Sequence, residues 1–394
     1  MTDPTWDVVV IGAGGSQAQA MLEASARAGS LERWLGIDIR WRPEAEARAR
    51  QLGLQTRTLD VLGDAAELTA ILRDARLVAN LAGPYYRTGV TVLDAAIEAR
   101  TDYLDICDDT DATLALLERE AAARDAGITA LVGMGSSPGT SNVLIRAAHD
   151  YLGGADEVDI YWSVDVADMT AAATTHFWHC FNLVAPDGSV EPVPTWDALD
   201  LREVEFPGTV GRQTLVRLAH PEPLTVPRFL GVSRARNYGV ITPFEATRVA
   251  WALAYSVDPL RPADGDLQAT TRGAVDVFLR YRDTLADAPR VGSGLIIDVH
   301  TGGNGIRFAA GAETEMSEAT GVPAAAGVRV LLDGAAPGLG IAPPELLRPA
   351  DFFDALGKVS RGGGGLKVYE LVDGEQGERV RMRHLLGIQK GEVA

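Results

Sequence analysis

One pattern repeats along the first third of the chain. A short apolar, β-branched run is followed each time by an Ala- and Leu-rich stretch of helical period. The runs predict strands at residues 7–11, 34–39, 55–59, 77–81, 103–106 and 128–132. The stretches between them predict helices at residues 16–29, 43–52, 64–74, 88–99 and 111–126. Because nearly continuous apolar strands are typical of a parallel sheet covered on both faces, we predict a doubly wound α/β domain over residues 1–140.

The chain after residue 140 has a different pattern. Alternating or aromatic runs at residues 158–166, 294–299 and 305–309 mix with helical stretches. This mixture predicts an α+β domain over residues 141–330.

Charge and cysteine content narrow the classes of partner. The chain of 394 residues has 36 Lys and Arg against 54 Asp and Glu, and the net charge of −18 disfavours binding to nucleic-acid phosphates or to an anionic membrane. Two cysteines cannot form a disulfide framework, and no apolar run is long enough to span a bilayer. We therefore expect a cytoplasmic protein whose partner is a small molecule.

The first predicted strand runs into a glycine-rich turn. Between that strand and the first helix lie Gly12, Ala13, Gly14, Gly15, Ser16 and Gln17. Gly12 permits a tight turn, Gly14 lets the backbone approach a pyrophosphate, and the first N–H groups of the helix bind phosphates. Gln17 replaces the third glycine of the usual pattern, so it must point outward or push the helix away from the sheet. The turn predicts a Rossmann domain that binds NAD or NADP.

Side chains at the next strand ends bear on the choice of cofactor. Asp38 closes the second strand, where a carboxylate can bind the ribose hydroxyls of NAD, whereas Arg40 and Arg42 could attract the 2′-phosphate of NADP. NAD is weakly favoured, and a solvated loop would equally explain the arginines. Further cofactor contacts are predicted at the third and fourth strand ends, although turn chemistry alone would explain them: Asp60, Val61, Leu81, Ala82, Gly83 and Pro84.

Four stretches of the chain resemble the saccharopine dehydrogenase (reductase)-like family, which includes lysine 6-dehydrogenase-like enzymes. They are Val9–Gly15, Asn80–Tyr86, Thr101–Asp108 and Gly133–Asn142. The resemblance implies a Rossmann domain, a second α+β domain with substrate contacts and a dimer interface, and a C-terminal segment, residues 331–394, that packs back on the first domain. It also implies NAD(P)-linked interconversion of an amine and an imine on a small amino-acid-derived substrate.

Hydride transfer between an amine and an imine requires a proton donor or acceptor and groups that hold the substrate. The predicted catalytic residues are Cys107 and Asp108, which follow the fifth strand, and His179 in the second domain. A buried structural role is the alternative for Cys107. Substrate contacts are predicted for residues that aromatic packing or helix capping would also explain: Tyr85, Tyr86, Ser137, Asn142 and His176.

Three other functions are weighed against this one. Gly135, Ser137 and Gly139 match the nucleophile elbow of serine hydrolases, but Pro138 has no N–H to donate to an oxyanion, so a hydrolase using Ser137 is a remote alternative. No further ligand follows the histidines near residue 179 at a recognisable spacing, so no metal site is predicted. Loss of the third glycine leaves a non-catalytic NAD(P)-binding or scaffold protein as the second hypothesis.

Overall fold

The computed structural model describes residues 4–181, 196, 199–257, 265–362 and 365–387. The described chain divides into two compact units. Unit 1 consists of residues up to 147 and residues 317–362, and unit 2 of residues 148–316 and 365–387. The segment predicted to pack back on the first domain is therefore divided between the units near residue 363, and residues 317–330 belong to unit 1.

The secondary structure alternates strands and helices in the order expected. In the described parts of the chain the strands are β1 (Trp6–Ile11), β2 (Trp34–Asp38), β3 (Gln55–Thr58), β4 (Ala75–Asn80), β5 (Asp102–Asp105), β6 (Thr129–Leu131), β7 (Glu157–Asp165), β8 (Leu201–Phe206), β9 (Gly211–Arg217), β10 (Arg234–Thr242), β11 (Ser293–Thr301), β12 (Asn304–Ala312), β13 (Gly340–Ala342), β14 (Lys367–Val372) and β15 (Glu375–Val380). The α-helices are α1 (Ser16–Ala28), α2 (Pro43–Gln51), α3 (Ala65–Leu72), α4 (Tyr85–Ala99), α5 (Thr110–Leu117), α6 (Glu120–Ala126), α7 (Thr140–Leu152), α8 (Ala171–His179), α9 (Glu222–Leu230), α10 (Phe244–Val257), α11 (Gly265–Asp283), α12 (Met316–Leu332), α13 (Pro349–Val359) and α14 (Met382–Leu385).

Unit 1 contains a parallel sheet with the strand order β13-β6-β5-β4-β1-β2-β3. The predicted doubly wound α/β class is confirmed, and the first six strands lie within two residues of the predicted bounds. One prediction is wrong: residues 111–126 form two helices, α5 and α6, because the chain turns at Arg119, whose N–H donates to the carbonyl of Leu116. A seventh strand, β13, pairs in parallel with β6.

The core of unit 1 lies between the sheet and its helices. Val8 and Val10 of β1 are fully buried and pack in one cluster with the small residues of α12. Ala324–Ala326 contribute side chains that are at most 1% exposed. These small side chains let α12 approach its neighbours closely.

Unit 2 contains a mixed sheet with the strand order β15-β14-β12-β11-β7-β10-β9-β8. β7 and β10 pair in parallel, and the other neighbouring strands in the sheet pair antiparallel. Helices α8, α10 and α11 share an apolar core that includes Trp178 and Phe278. The predicted α+β class of the second part is confirmed. Among the described residues, none of the helices has both the length and the apolar character that crossing a bilayer requires.

Candidate functional site

The glycine-rich turn lies where the strand order of unit 1 reverses. From β1 the chain continues to β2 and β3 on one side and then crosses to β4 on the other side, so the carboxyl ends of β1 and β4 form the switch point at which open α/β sheets bind ligands. The N–H of Leu81 donates to the carbonyl of Ile11 (2.9 Å). A Cβ on Gly12, whose φ is +74°, would lie 2.9 Å from the backbone of Ala82. Only glycine fits the turn at this position.

The N-terminus of α1 fits a phosphate group. No side chain caps this 13-residue helix in the described structure, and its first turn contains no acidic residue. Its first N–H groups and the positive end of its dipole therefore face a position suited to an anion. The side-chain amide of Gln19 donates to the carbonyl of Ala13 (2.7 Å) and holds the turn in place.

Gln17 does not point fully outward. Its side chain is half-buried, and its oxygen accepts a hydrogen bond from the hydroxyl of Ser16 (3.2 Å). The close approach expected of the missing glycine occurs on another helix, because a Cβ on Gly321 of α12 would lie 2.6 Å from the carbonyl oxygen of Gln17 and 2.7 Å from the backbone nitrogen of Met21. The chain thus retains a glycine contact at α1, contributed from a distant part of the sequence.

Asp38 and Arg42 both bind the turn. One carboxylate oxygen of Asp38 accepts from the N–H of Gly14 (2.9 Å), and the other accepts from the N–H of Arg40 (3.0 Å). The guanidinium of Arg42 donates to the carbonyl of Gly14 (3.0 Å). A carboxylate can accept more than one hydrogen bond per oxygen, so Asp38 can still bind ribose hydroxyls while it supports the turn.

The predicted contacts after β3 and β4 differ in their surroundings. Asp60 is exposed, and its carboxylate accepts from the N–H of Leu62 (3.0 Å), which is ordinary turn chemistry. Val61 is buried. After β4, the N–H of Ala82 donates to the side chain of Asn80 (3.2 Å), whereas Gly83 is exposed and Pro84 half-buried. The loop after β4 therefore lies beside the glycine-rich turn. Asp60, by contrast, stabilises the turn in which it lies.

A buried polar network links the ends of β4, β5 and β6. The side-chain amide of Asn80 donates to the hydroxyl of Tyr103 (3.3 Å), which donates to one oxygen of Asp105 (2.8 Å). The other oxygen of Asp105 accepts from the N–H groups of Cys107 (3.0 Å) and Gly133 (2.6 Å). Burial raises the pKa of Asp105 to about 6, against the opposing effect of these hydrogen bonds. Asn80, Tyr103 and Asp105 lie in stretches of the sequence that carry the resemblance, but no role was predicted for them.

The position of Cys107 favours the structural alternative. Its side chain is fully buried, and its sulfur lies 3.6 Å from the carbonyl oxygen of Asp109 and 3.6 Å from the hydroxyl of Thr113. Burial raises the pKa of the Cys107 thiol, so the thiol stays protonated at neutral pH. Asp108, next in the chain, is half-buried.

Asp109 stabilises the start of α4. Its carboxylate accepts from the backbone N–H of Tyr85 (2.9 Å) and of Tyr86 (3.4 Å). Tyr85 is buried, with its hydroxyl 3.4 Å from the carbonyl oxygen of Asn80, whereas Tyr86 is 38% exposed. Of the two tyrosines, Tyr86 is the one that a ligand could reach.

The loop after β6 is held by a buried amide. The side-chain oxygen of Asn142 accepts from the N–H of Gly139 (2.9 Å), and its NH₂ group donates to Glu345 (2.8 Å). Both side chains are fully buried. Ser137 is half-buried and precedes Pro138, whose carbonyl accepts from the N–H of Gly135 (2.9 Å). Asn142 therefore maintains the loop, and Ser137 is the more accessible of the two predicted substrate residues.

Unit 2 brings together a thiol and two imidazoles. Nε2 of His176 lies 3.2 Å from the sulfur of Cys180, and Nδ1 of His220 lies 3.2 Å from a carboxylate oxygen of Glu222. Burial opposes protonation of His220, but its interactions with Cys180 and Glu222 raise its pKa to about 10. Burial acts against ionisation of Cys180 as well, yet the two histidines lower its pKa. His179 is buried on the same helix as His176.

The strand order, the glycine-rich turn and the uncapped helix are together those of a Rossmann domain that binds a dinucleotide. Residues 8–131 match the family model described as the saccharopine dehydrogenase NADP binding domain, and this match indicates the class of NAD(P)-dependent oxidoreductases. The resemblance expected from the sequence is confirmed, and so is NAD or NADP as cofactor.

Solved structures extend the likeness of fold to both units. Saccharopine dehydrogenase (L-Glu forming) from Saccharomyces cerevisiae is 14% identical, with a TM-score of 0.60, 93% of this chain covered and 99% of the other. Homospermidine synthase from Legionella pneumophila, solved in complex with NAD, is 10% identical, with a TM-score of 0.62 and coverages of 93% and 92%. A comparison with curated protein sequences found no significant match. At these identities the likeness concerns the fold.

Proposed function

We propose that the protein interconverts an amine and an imine on a small amino-acid-derived substrate, with NAD or NADP as the hydride carrier. The observation that carries the proposal is the match of residues 8–131 to the saccharopine dehydrogenase NADP-binding domain, over a turn whose geometry suits a dinucleotide. The likeness of fold to a saccharopine dehydrogenase (L-Glu forming) and to a homospermidine synthase in complex with NAD agrees with the proposal.

The chain's own residues would hold the cofactor by its phosphates and ribose. The N–H groups at the start of α1 bind the pyrophosphate, and the turn from Gly12 to Gln17 keeps side chains out of its way. Asp38 accepts hydrogen bonds from the ribose hydroxyls of NAD, and Arg40 and Arg42 would bind the 2′-phosphate of NADP. The backbone of Leu81–Pro84 lies along the other side of the switch point. When bound, the nicotinamide donates or accepts the hydride.

Proton transfer and substrate binding fall to the more accessible candidates. Asp108 follows β5 and is half-buried, so in unit 1 it is a better proton donor or acceptor than the buried thiol of Cys107. His179 of unit 2 is a second candidate, although it is buried and therefore less accessible than Asp108. Tyr86 and Ser137 are proposed to contact the substrate, because Tyr85 and Asn142 are buried in contacts of their own.

The test is a screen of reduced-cofactor oxidation. The full-length chain is incubated with NADH or NADPH and with pairs of a 2-oxo acid or aldehyde and a primary amine, including amino acids. We expect the absorbance of the reduced nicotinamide to fall only when both members of a pair are present, because the substrate is the imine that they form. Oxidation with the carbonyl compound alone would identify a C=O reductase and refute the proposal.

The proposal also includes a homodimer in the cytoplasm. Two hundred and fifty-four residues follow residue 140, which is more than a substrate lid requires and leaves material for an interface (394 − 140 = 254). Both cysteines are free thiols, which suits a reducing compartment.

A further inference from the structure

Three side chains converge at the C-terminal end of α8. His176 and Cys180 are four residues apart on one helix face, and the loop between β9 and α9 brings His220 to the same place. One ligand atom from each residue lies within 4.8 Å of the other two. We propose that His176, Cys180 and His220 form a binding site for a zinc ion, with one coordination position left open.

The donor set suits zinc. Zinc binds thiolate sulfur at about 2.3 Å and imidazole nitrogen at about 2.0–2.1 Å, so two ligand atoms on a tetrahedral ion are about 3.6 Å apart. The sulfur of Cys180 and Nε2 of His176 are already 3.2 Å apart. One sulfur and two nitrogens match the borderline-soft character of the ion, whereas Mg²⁺ and Ca²⁺ require oxygen ligands.

A buried carboxylate is hydrogen-bonded to one of the imidazoles. Nδ1 of His220 is hydrogen-bonded to Glu222 (3.2 Å), a side chain with no exposed surface. This contact leaves Nε2 as the nitrogen that faces Cys180. A carboxylate that orients a histidine through its second nitrogen is the usual outer partner of a zinc-bound histidine, since it sets the tautomer and increases the basicity of the ligand.

The outer partner is itself held in place. The amide of Asn237 on β10 donates to Glu222 (3.4 Å), and its oxygen accepts from the indole N–H of Trp162 on β7 (2.7 Å). The N–H of Ala219 donates to the carbonyl of Cys180 (2.7 Å), which fastens the loop of His220 to the end of α8. The ligands therefore come from two segments, the end of α8 and the loop before α9, and a backbone hydrogen bond fixes the distance between them.

Two features distinguish this cluster from a reactive thiol paired with a single histidine. A second imidazole, that of His176, also contacts the sulfur, and an ion pair between Cys180 and His220 would not need it. Cys180 and His220 are buried, while His176 is half-buried, so an ion can enter on that side and bind water or a ligand atom at the fourth position.

The test titrates the chelator-treated, reduced full-length chain with Co²⁺, a spectroscopic probe for zinc sites. We expect one equivalent to bind, with the near-ultraviolet charge-transfer band of a thiolate ligand and the intense visible bands of tetrahedral cobalt, and Zn²⁺ to displace it. A wild-type chain without the charge-transfer band overturns the proposal. Faster alkylation of Cys180 than of Cys107 in such a chain would identify a reactive thiol instead.

Variants locate the site. Cys180→Ala should abolish the charge-transfer band, His220→Ala should strongly weaken Co²⁺ binding, and Glu222→Gln should weaken it about 10-fold, as outer-partner changes do. Cys107→Ala and His300→Gln are the matched controls and should bind as the wild type does. Circular dichroism checks that each variant folds. Undiminished binding in folded Cys180→Ala and His220→Ala would mean that the ion binds elsewhere, and would refute the site.

Discussion

Gly321→Ala tests the contact that stands in for the missing third glycine. A Cβ at this position would lie 2.6 Å from the carbonyl oxygen of Gln17, 2.7 Å from the Cβ of Ala20 and 2.7 Å from the backbone nitrogen of Met21. None of these atoms is the end of a flexible side chain, so α12 and α1 must move apart. Overpacking of this kind costs about 1–3 kcal/mol, and three contacts this short place the cost near the upper end.

The control is the same substitution on a neighbouring helix of unit 1. Gly357 of α13 has nothing within 4 Å of its would-be Cβ. Replacing glycine by alanine inside a helix stabilises it by about 1 kcal/mol, a gain that both variants share. We therefore expect Gly321→Ala to be destabilised by about 2 kcal/mol and Gly357→Ala to be stabilised by about 1 kcal/mol.

Two assays separate the consequences. Thermal unfolding by calorimetry should place the variants on opposite sides of the wild type, about 3 kcal/mol apart. Titration with NADH and NADPH should show weaker binding by Gly321→Ala alone, because α1 carries the N–H groups that we propose bind the phosphates. Equal stability and equal affinity of the two variants would refute the close approach of α12 to α1.

Two further predictions concern the carboxylates at the strand ends. Asp38→Ala should weaken NADH binding about 10-fold or more and NADPH binding less, because a charged acceptor for the ribose hydroxyls is lost. Arg42→Ala should weaken NADPH binding more than NADH binding. The reverse order in fluorescence titrations would show that Asp38 does not bind the ribose. Asp105 has a pKa raised from 3.8 to about 6 in the folded chain. A carboxyl that holds its proton more tightly when folded makes the protein lose stability as the pH rises from about 4 to above 6, by up to about 3 kcal/mol here. Asp105→Asn should remove that slope in unfolding curves, and an unchanged pH dependence would contradict the cause.

The strands and turn of unit 1 could be predicted because their signals are local. An apolar run of β-branched residues, a glycine-rich turn and an amphipathic helix each lie within about fifteen residues, and each is dictated by backbone geometry. β13 lacked such a signal. It has three residues, Gly340–Ala342, and it forms because β6 offers an open edge, to which the hydroxyl of Thr129 adds a hydrogen bond with the carbonyl of Gly338 (2.7 Å).

The candidate-site residues that could be predicted are those that lie at successive strand ends in the sequence. The turn at Gly12 and the carboxylate of Asp38 lie at successive strand ends, and parallel strands bring such ends to one edge of the sheet. The proposed zinc ligands do not lie at successive strand ends. His220 is forty residues from Cys180 (220 − 180 = 40) and joins it through a loop contact that no periodicity encodes. Gly321 likewise meets Gln17 only after folding.

The central claim is hydride transfer to a carbon bound to nitrogen. The direct measurement uses reduced cofactor that carries deuterium at the transferable position of the nicotinamide, with a carbonyl and amine pair that the screen finds active. Mass spectrometry then locates the label. We expect one deuterium per product, on the carbon that bears the new carbon–nitrogen single bond. Deuterium on a carbon that bears a hydroxyl group would contradict it.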